Sequence, residues 1–95
     1  VSKVRSKKLF DKKVTEIFKR MANGAPCEIA AAQIGGENRV MFGAGGLYLT
    51  MPPGTARRFA EAYSSPEAIA AGLGDLGRDF ATAADMAEAH DAPRQ

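Results

Sequence analysis

Ninety-five residues, 45% apolar and 25% charged, suit one small domain with a single thin core and are too apolar for a disordered chain. One cysteine, Cys27, and one histidine, His90, exclude an internal disulfide framework and give no basis for a metal site, so no metal and no cofactor is expected. The net charge of +2 hides a strong asymmetry: residues 1–20 sum to +6, residues 21–54 to −1 and residues 55–95 to −3.

The first 20 residues hold Lys3, Arg5, Lys7, Lys8, Lys12, Lys13, Lys19 and Arg20 against Asp11 and Glu16. Residues 1–6 read as a flexible basic arm. Phe10, Val14, Ile17, Phe18 and Met21 then recur at i, i+4, i+7, i+8 and i+11, which predicts an amphipathic helix over 7–22. Ser6 is the expected N-cap and Asn23-Gly24 the left-handed stop. Lys12, Lys13, Lys19 and Arg20 fall off the apolar stripe.

Residues 27–34, Cys-Glu-Ile-Ala-Ala-Ala-Gln-Ile, are two-sided evidence. Their length and flanking turns suit a strand, whereas Glu, Ala and Gln favour helix. The strand is the preferred reading, with Cys27 expected to be buried. Arg39–Phe42 and Leu47–Met51 follow as strands, with Val40, Phe42, Leu47, Leu49 and Met51 inward and Gly43-Ala44-Gly45-Gly46 as the hairpin loop. The three runs predict an antiparallel meander.

Pro52-Pro53-Gly54-Thr55 stops the last strand, and Thr55 is the expected cap of a helix over 56–63. Ser65-Pro66-Glu67 starts another, in which Ile69, Leu73, Leu76 and Phe80 recur at helical spacing. Gly72, Gly74 and Gly77 interrupt this stripe, so the helix either bends or gives way to a final helix capped by Asp75. Residues 90–95 read as a frayed tail. The expected fold is one small α+β domain: an N-terminal amphipathic helix, a three-stranded antiparallel meander and two or three Ala-rich C-terminal helices. Its expected core is Phe10, Val14, Ile17, Phe18, Val40, Phe42, Leu47, Leu49, Ile69, Leu73, Leu76 and Phe80.

Motifs for chemistry are weak. Gly72-Leu73-Gly74-Asp75-Leu76-Gly77 has the dinucleotide GxGxxG spacing, but no strand precedes it and no βαβ unit surrounds it, so helix packing is the preferred reading. The Gly35-Gly36 and Gly43–Gly46 runs lack the Gly-Lys-Ser/Thr of a phosphate loop, and no Lys follows Lys19. His90 has no nucleophile or orienting partner in view. The chain is therefore not expected to be an enzyme. No run reaches the ~20 apolar residues of a membrane span, and no apolar stretch follows the basic start as in a secretory signal. No membrane partner is expected, and a cytoplasmic location is the default.

The α-β-β-β-α order, with Gly54-Thr55-Ala56-Arg57-Arg58 at the second helix, resembles the double-stranded-RNA-binding domain over residues 7–63. That family starts this helix with lysines; the present chain lacks the family's Gly-Pro-x-His loop and Lys-Lys-x-Ala-Lys cluster. The resemblance implies an RNA contact, although topology alone does not carry function. Were residues 28–42 helical instead, Glu28–Gly35 would be similar to the first half of a helix-turn-helix motif, with Glu37–Phe42 as its recognition helix, cut short by Gly43, Gly45 and Gly46.

The expected partner-binding residues are Lys7, Lys8, Lys12, Lys13, Lys19, Arg20, Arg57 and Arg58. The first functional expectation is a non-catalytic module, a small regulator or inhibitor of the phage or plasmid kind, contacting another protein and itself as a homodimer. The alternative is a nucleic-acid-binding regulator that uses the basic helix.

Overall fold

A computed structural model of the chain describes the backbone of residues 2–91 and the side chains of residues 9–89. The architecture is mixed α+β: α1 (Ser2–Ala22), β1 (Cys27–Ile34), β2 (Glu37–Ala44), β3 (Leu47–Met51), α2 (Pro53–Tyr63), α3 (Pro66–Ala70) and α4 (Gly74–Asp91). The strands form one antiparallel sheet in the order β1-β2-β3. The chain divides into two compact units, one of residues 1–28 and 42–49 and the other of residues 29–41 and 50–95.

In the first unit, α1 begins at Ser2, so Ser6 lies inside the helix and not at its cap, and residues 2–6 have helical backbone where an arm was expected. The segment contains no Gly or Pro, and its Lys and Arg residues are good helix formers. Val1 lies outside the described residues. The helix ends in a Schellman motif: Ala25 N donates to Arg20 O at 2.9 Å and Gly24 N to Met21 O at 3.0 Å. Of the Asn23-Gly24 pair only Gly24 has a positive φ, at +100°. Ile17, Phe42, Ala44 and Leu49 are buried, and the Phe18 and Phe42 rings meet at 5.8 Å. Phe10, Val14, Phe18 and Leu47 are half-buried.

Both strand connections are two glycines long, Gly35-Gly36 and Gly45-Gly46, and all four have φ between +60° and +84°. This is the type I′ geometry, whose twist matches the strands it joins. The turns are therefore tighter than expected. Glu37 and Asn38 belong to β2, as do Gly43 and Ala44.

In the second unit, Pro53 occupies the first turn of α2 and Pro52 the N-cap position, so Thr55 sits within the helix instead of capping it. A proline at this position needs no N–H partner and presets the helical φ. Ser65 caps α3 as expected, its Oγ accepting from Ala68 N at 3.2 Å. Gly72, at φ +86°, ends α3, and α4 is a separate helix that starts at Gly74, with Asp75 in its first turn. The break separates residues that the linear spacing had joined. Ile69 is 57% exposed and Leu73 half-buried, while Leu76 and Phe80 are buried.

Helix α2 packs chiefly on α4. Phe80 stacks on Phe59 at 5.2 Å and approaches Tyr63 at 6.1 Å, and Ala56, Ala60, Leu76, Ala83, Ala84 and Ala87 are buried as well. A Cβ on Gly77 would lie 3.1 Å from Ser64 Oγ and from the Tyr63 carbonyl carbon. At Gly77, α4 comes close enough to the end of α2 that a side chain would crowd Ser64 and Tyr63. The α4 backbone continues through the first two residues of the expected tail, and residues 92–95 lie outside the described residues.

These burials set an order of sensitivity. Phe80→Ala should cost about 3–5 kcal/mol, whereas Ile69→Ala should stay within about 1 kcal/mol, as read from urea unfolding of both variants. Equal losses would place Ile69 in the core after all.

Candidate interaction surfaces

The exposed side of α1 is built around Leu9, which is 66% exposed although it is a large apolar residue. It lies off the Phe10–Met21 stripe. Lys12 and Lys13 stand three and four residues further on, the spacing that places side chains on one helical face. Glu16 follows, 3.7 Å from Lys19. Two of the cations also brace the helix against the neighbouring hairpin. Arg20 Nη1 donates to Gly45 O at 2.7 Å, and Lys13 Nζ donates to Tyr48 O at 3.4 Å. Lys12 is exposed and has no partner among the described residues. The side chains of Lys7 and Lys8 lie outside the described residues, though both positions belong to α1.

Arg57 and Arg58 belong to α2, in the other unit, and Arg58 is exposed. Arg57 is committed within its own unit. Its Nε donates to Glu88 Oε1 at 3.0 Å and its Nη2 to Asp85 Oδ1 at 2.6 Å, with a further close contact between Nη2 and Glu88 Oε1. Glu88 first and Asp85 second hold the guanidinium protonated even beyond its ordinary range. Two carboxylates against one guanidinium leave this corner of α2 and α4 with a negative excess. The expected extension of a cationic patch by Arg57 meets that excess.

On the sheet surface of the first unit, Tyr48 lies across Gly43, and its hydroxyl donates to Glu28 Oε2. The bond links the outer strands β3 and β1 over the central one. It holds the Tyr48 phenol above its ordinary value of 10.0, chiefly through that hydrogen bond, while burial raises the Tyr63 phenol. Only a residue without a Cβ fits beneath the ring, since a Cβ on Gly43 would also lie 2.5 Å from Leu47 O. Across the other ends of β2 and β3, Arg39 Nε donates to Thr50 Oγ1 at 3.1 Å and Arg39 Nη2 to Thr50 O at 3.3 Å.

The glycine-rich 72–77 segment follows helix α3, not a strand, so the setting of a dinucleotide site is missing. Gly72, Gly74, Asp75 and Arg78 line an open cleft of about 370 Å³ together with Ser64 and Ile69. Cys27 is exposed, contrary to the expected burial; it opens β1, directly after the connection from α1. The His90 side chain lies outside the described residues. Residues 28–34 are strand, which removes the helix-turn-helix reading. Among the described residues no group of three or more His, Cys, Asp or Glu is placed to hold a metal ion, and no helix is long and apolar enough to cross a membrane.

Sequence reasoning located the α1 cations but missed Leu9, whose signal was its position off the apolar stripe. It also missed the acidic partners of Arg57, which lie 28 and 31 residues away.

Both phenols should titrate above 10.0 in an ultraviolet difference titration, and Glu28→Gln should bring Tyr48 down while leaving Tyr63 unmoved. A raised phenol value stabilises the fold fully below the unfolded value near 10.0, and that contribution fades as pH rises through the folded value. An unchanged Tyr48 titration in Glu28→Gln would count against the Tyr48–Glu28 bond. Gly43→Ala should cost about 1–3 kcal/mol in unfolding free energy, by crowding Tyr48 and Leu47 O.

No family model, no curated protein and no solved structure matches this chain.

Proposed function

We propose that the chain is a non-catalytic binding module, a small regulator or inhibitor that works by contact with another protein and with a second copy of itself. The face of α1 around Leu9 meets the other protein. The exposure of Leu9 beside Lys12 and Lys13 carries this reading. A large apolar side chain set among charges adds nothing to a phosphate contact. It fits a socket on a protein, where a desolvated anchor supplies most of the affinity and surrounding charges steer the encounter. The complementary partner surface is an apolar pocket with an acidic rim. Asp11 and Glu16, interspersed with the cations, favour a protein over a polyanion, and Glu16 already shares its charge with Lys19.

Leu9→Ser should weaken capture of the partner from the native host at least about tenfold, and nuclease treatment should leave capture intact. Lys12→Glu combined with Lys19→Glu should slow association and reduce its salt dependence. Capture that survives Leu9→Ser and disappears with nuclease would overturn this reading.

That outcome belongs to the second reading, a nucleic-acid contact along the same helix. The observation favouring it is that α1 runs back to Ser2, so Lys3, Arg5, Lys7 and Lys8 join Lys12 and Lys19 on one helix. On this reading affinity for a short duplex falls log-linearly with salt, and Leu9→Ser has no effect.

A further inference from the structure

Among the described residues no strand lies beside the outer side of β1, since the sheet order leaves β1 outermost. Strand edges are ordinarily blunted by Lys, Pro or a bulge. Cys27–Ile34 contains neither Lys nor Pro, and Glu28 is its one charge. Alternation turns Ile29, Ala31 and Gln33 to one face and Glu28, Ala30, Ala32 and Ile34 to the other. Ile29 and Ala31 are half-buried, whereas Ala30 and Ile34 are exposed. An open groove of about 200 Å³ lies between β1 and α4, bordered by Ile29, Ala30 and Ala31 on the strand and by Asp79, Thr82, Ala83 and Met86 on the helix. Met86 is 54% exposed.

We propose that this edge binds the same edge of a second copy of the chain, β1 pairing antiparallel with β1 about a two-fold axis through Ala30, so that two sheets become one. This names the site of the self-contact above, and it is tested apart from the α1 face. An outermost strand takes a further extended strand, and the sequence of β1 is complementary to itself. With Ala30 on the axis, Ile29 faces Ala31 of the second copy, a large residue against a small one, beside the groove that Ala83 and Met86 border. Glu28 faces Ala32 of the second copy, so no like charges oppose each other, and its carboxylate already accepts the Tyr48 hydroxyl. Moving the axis to Ala31 would instead set Ile29 against Gln33 and Glu28 against Ile34, two mismatched pairs. Pro26, which lacks an N–H, ends the pairing just before Cys27.

Sedimentation velocity of the full chain over a range of concentrations should show a reversible monomer–dimer equilibrium. Ala30→Lys, at an exposed position, sets two ammonium groups face to face on the axis and should raise the dimer dissociation constant about tenfold or more without lowering the thermal midpoint of the monomer. In a Cys27→Ser background, Ala30→Cys should form an intermolecular disulfide under mild oxidation, because facing Cα atoms of an antiparallel pair lie about 4.5–5.5 Å apart. Ile34→Cys should not. Leu9→Ser should leave the dimer intact, so loss of the host partner and loss of self-association are separate results. A chain that stays monomeric at every concentration overturns the proposal and leaves the edge to a strand from a different protein. A dimer indifferent to Ala30→Lys, or cross-linked through Ile34→Cys and not through Ala30→Cys, overturns it as well.

Discussion

A shortage of bulky apolar side chains governs this structure. Phe42, Phe80, Ile17, Met51 and Val40 are the largest fully buried side chains, and alanine occupies most of the other buried positions. A buried large side chain stabilises by about 1.5–3 kcal/mol, and an alanine by much less. Small residues contribute mainly by allowing backbones to come close, which multiplies weak dispersion contacts. The α2–α4 pair takes this course, with Gly77 against the end of α2 and Phe80 stacked on Phe59. Such a core depends on a few aromatic rings in fixed positions more than on the total area of its surface.

The elements legible in the sequence were those whose information is local. The Phe10–Met21 spacing marked α1, alternation marked β3, and Ser65-Pro66 marked the start of α3. What was harder to read depended on which of several neighbouring signals wins. The β1 run was legible from its length and flanking turns although its composition favours helix: the Gly35-Gly36 turn returns it against β2, and pairing overrides propensity. Ile69 shares helical spacing with Leu76 and Phe80 on paper, but Gly72 breaks the register between them. Thr55 has the chemistry of a cap, while the two prolines before it start the helix earlier. Cysteine is ordinarily among the most buried residues, but Cys27 opens β1 directly after the connection from α1 and is exposed.

The same division runs through the candidate interaction surfaces. Charge can be counted along a chain, so the cations of α1 were visible at once. Exposure and pairing cannot be counted in that way. The acids that engage Arg57 come from another helix, and the setting of Leu9 among charges emerges only when α1 is seen to bury its opposite side. Surfaces that work by contact are harder to read than catalytic sites for this reason: their defining property is what the rest of the fold leaves uncovered.

The paired glycines joining the strands also bear on how quickly the sheet can assemble. Each connection closes over two residues, so neighbouring strands meet at almost no loop-closure entropy and the ladders zip outward from their turns. The sheet therefore has low contact order, which favours rapid folding. Contacts between segments farther apart in sequence are made by the helices, as where Phe80 of α4 stacks on Phe59 of α2.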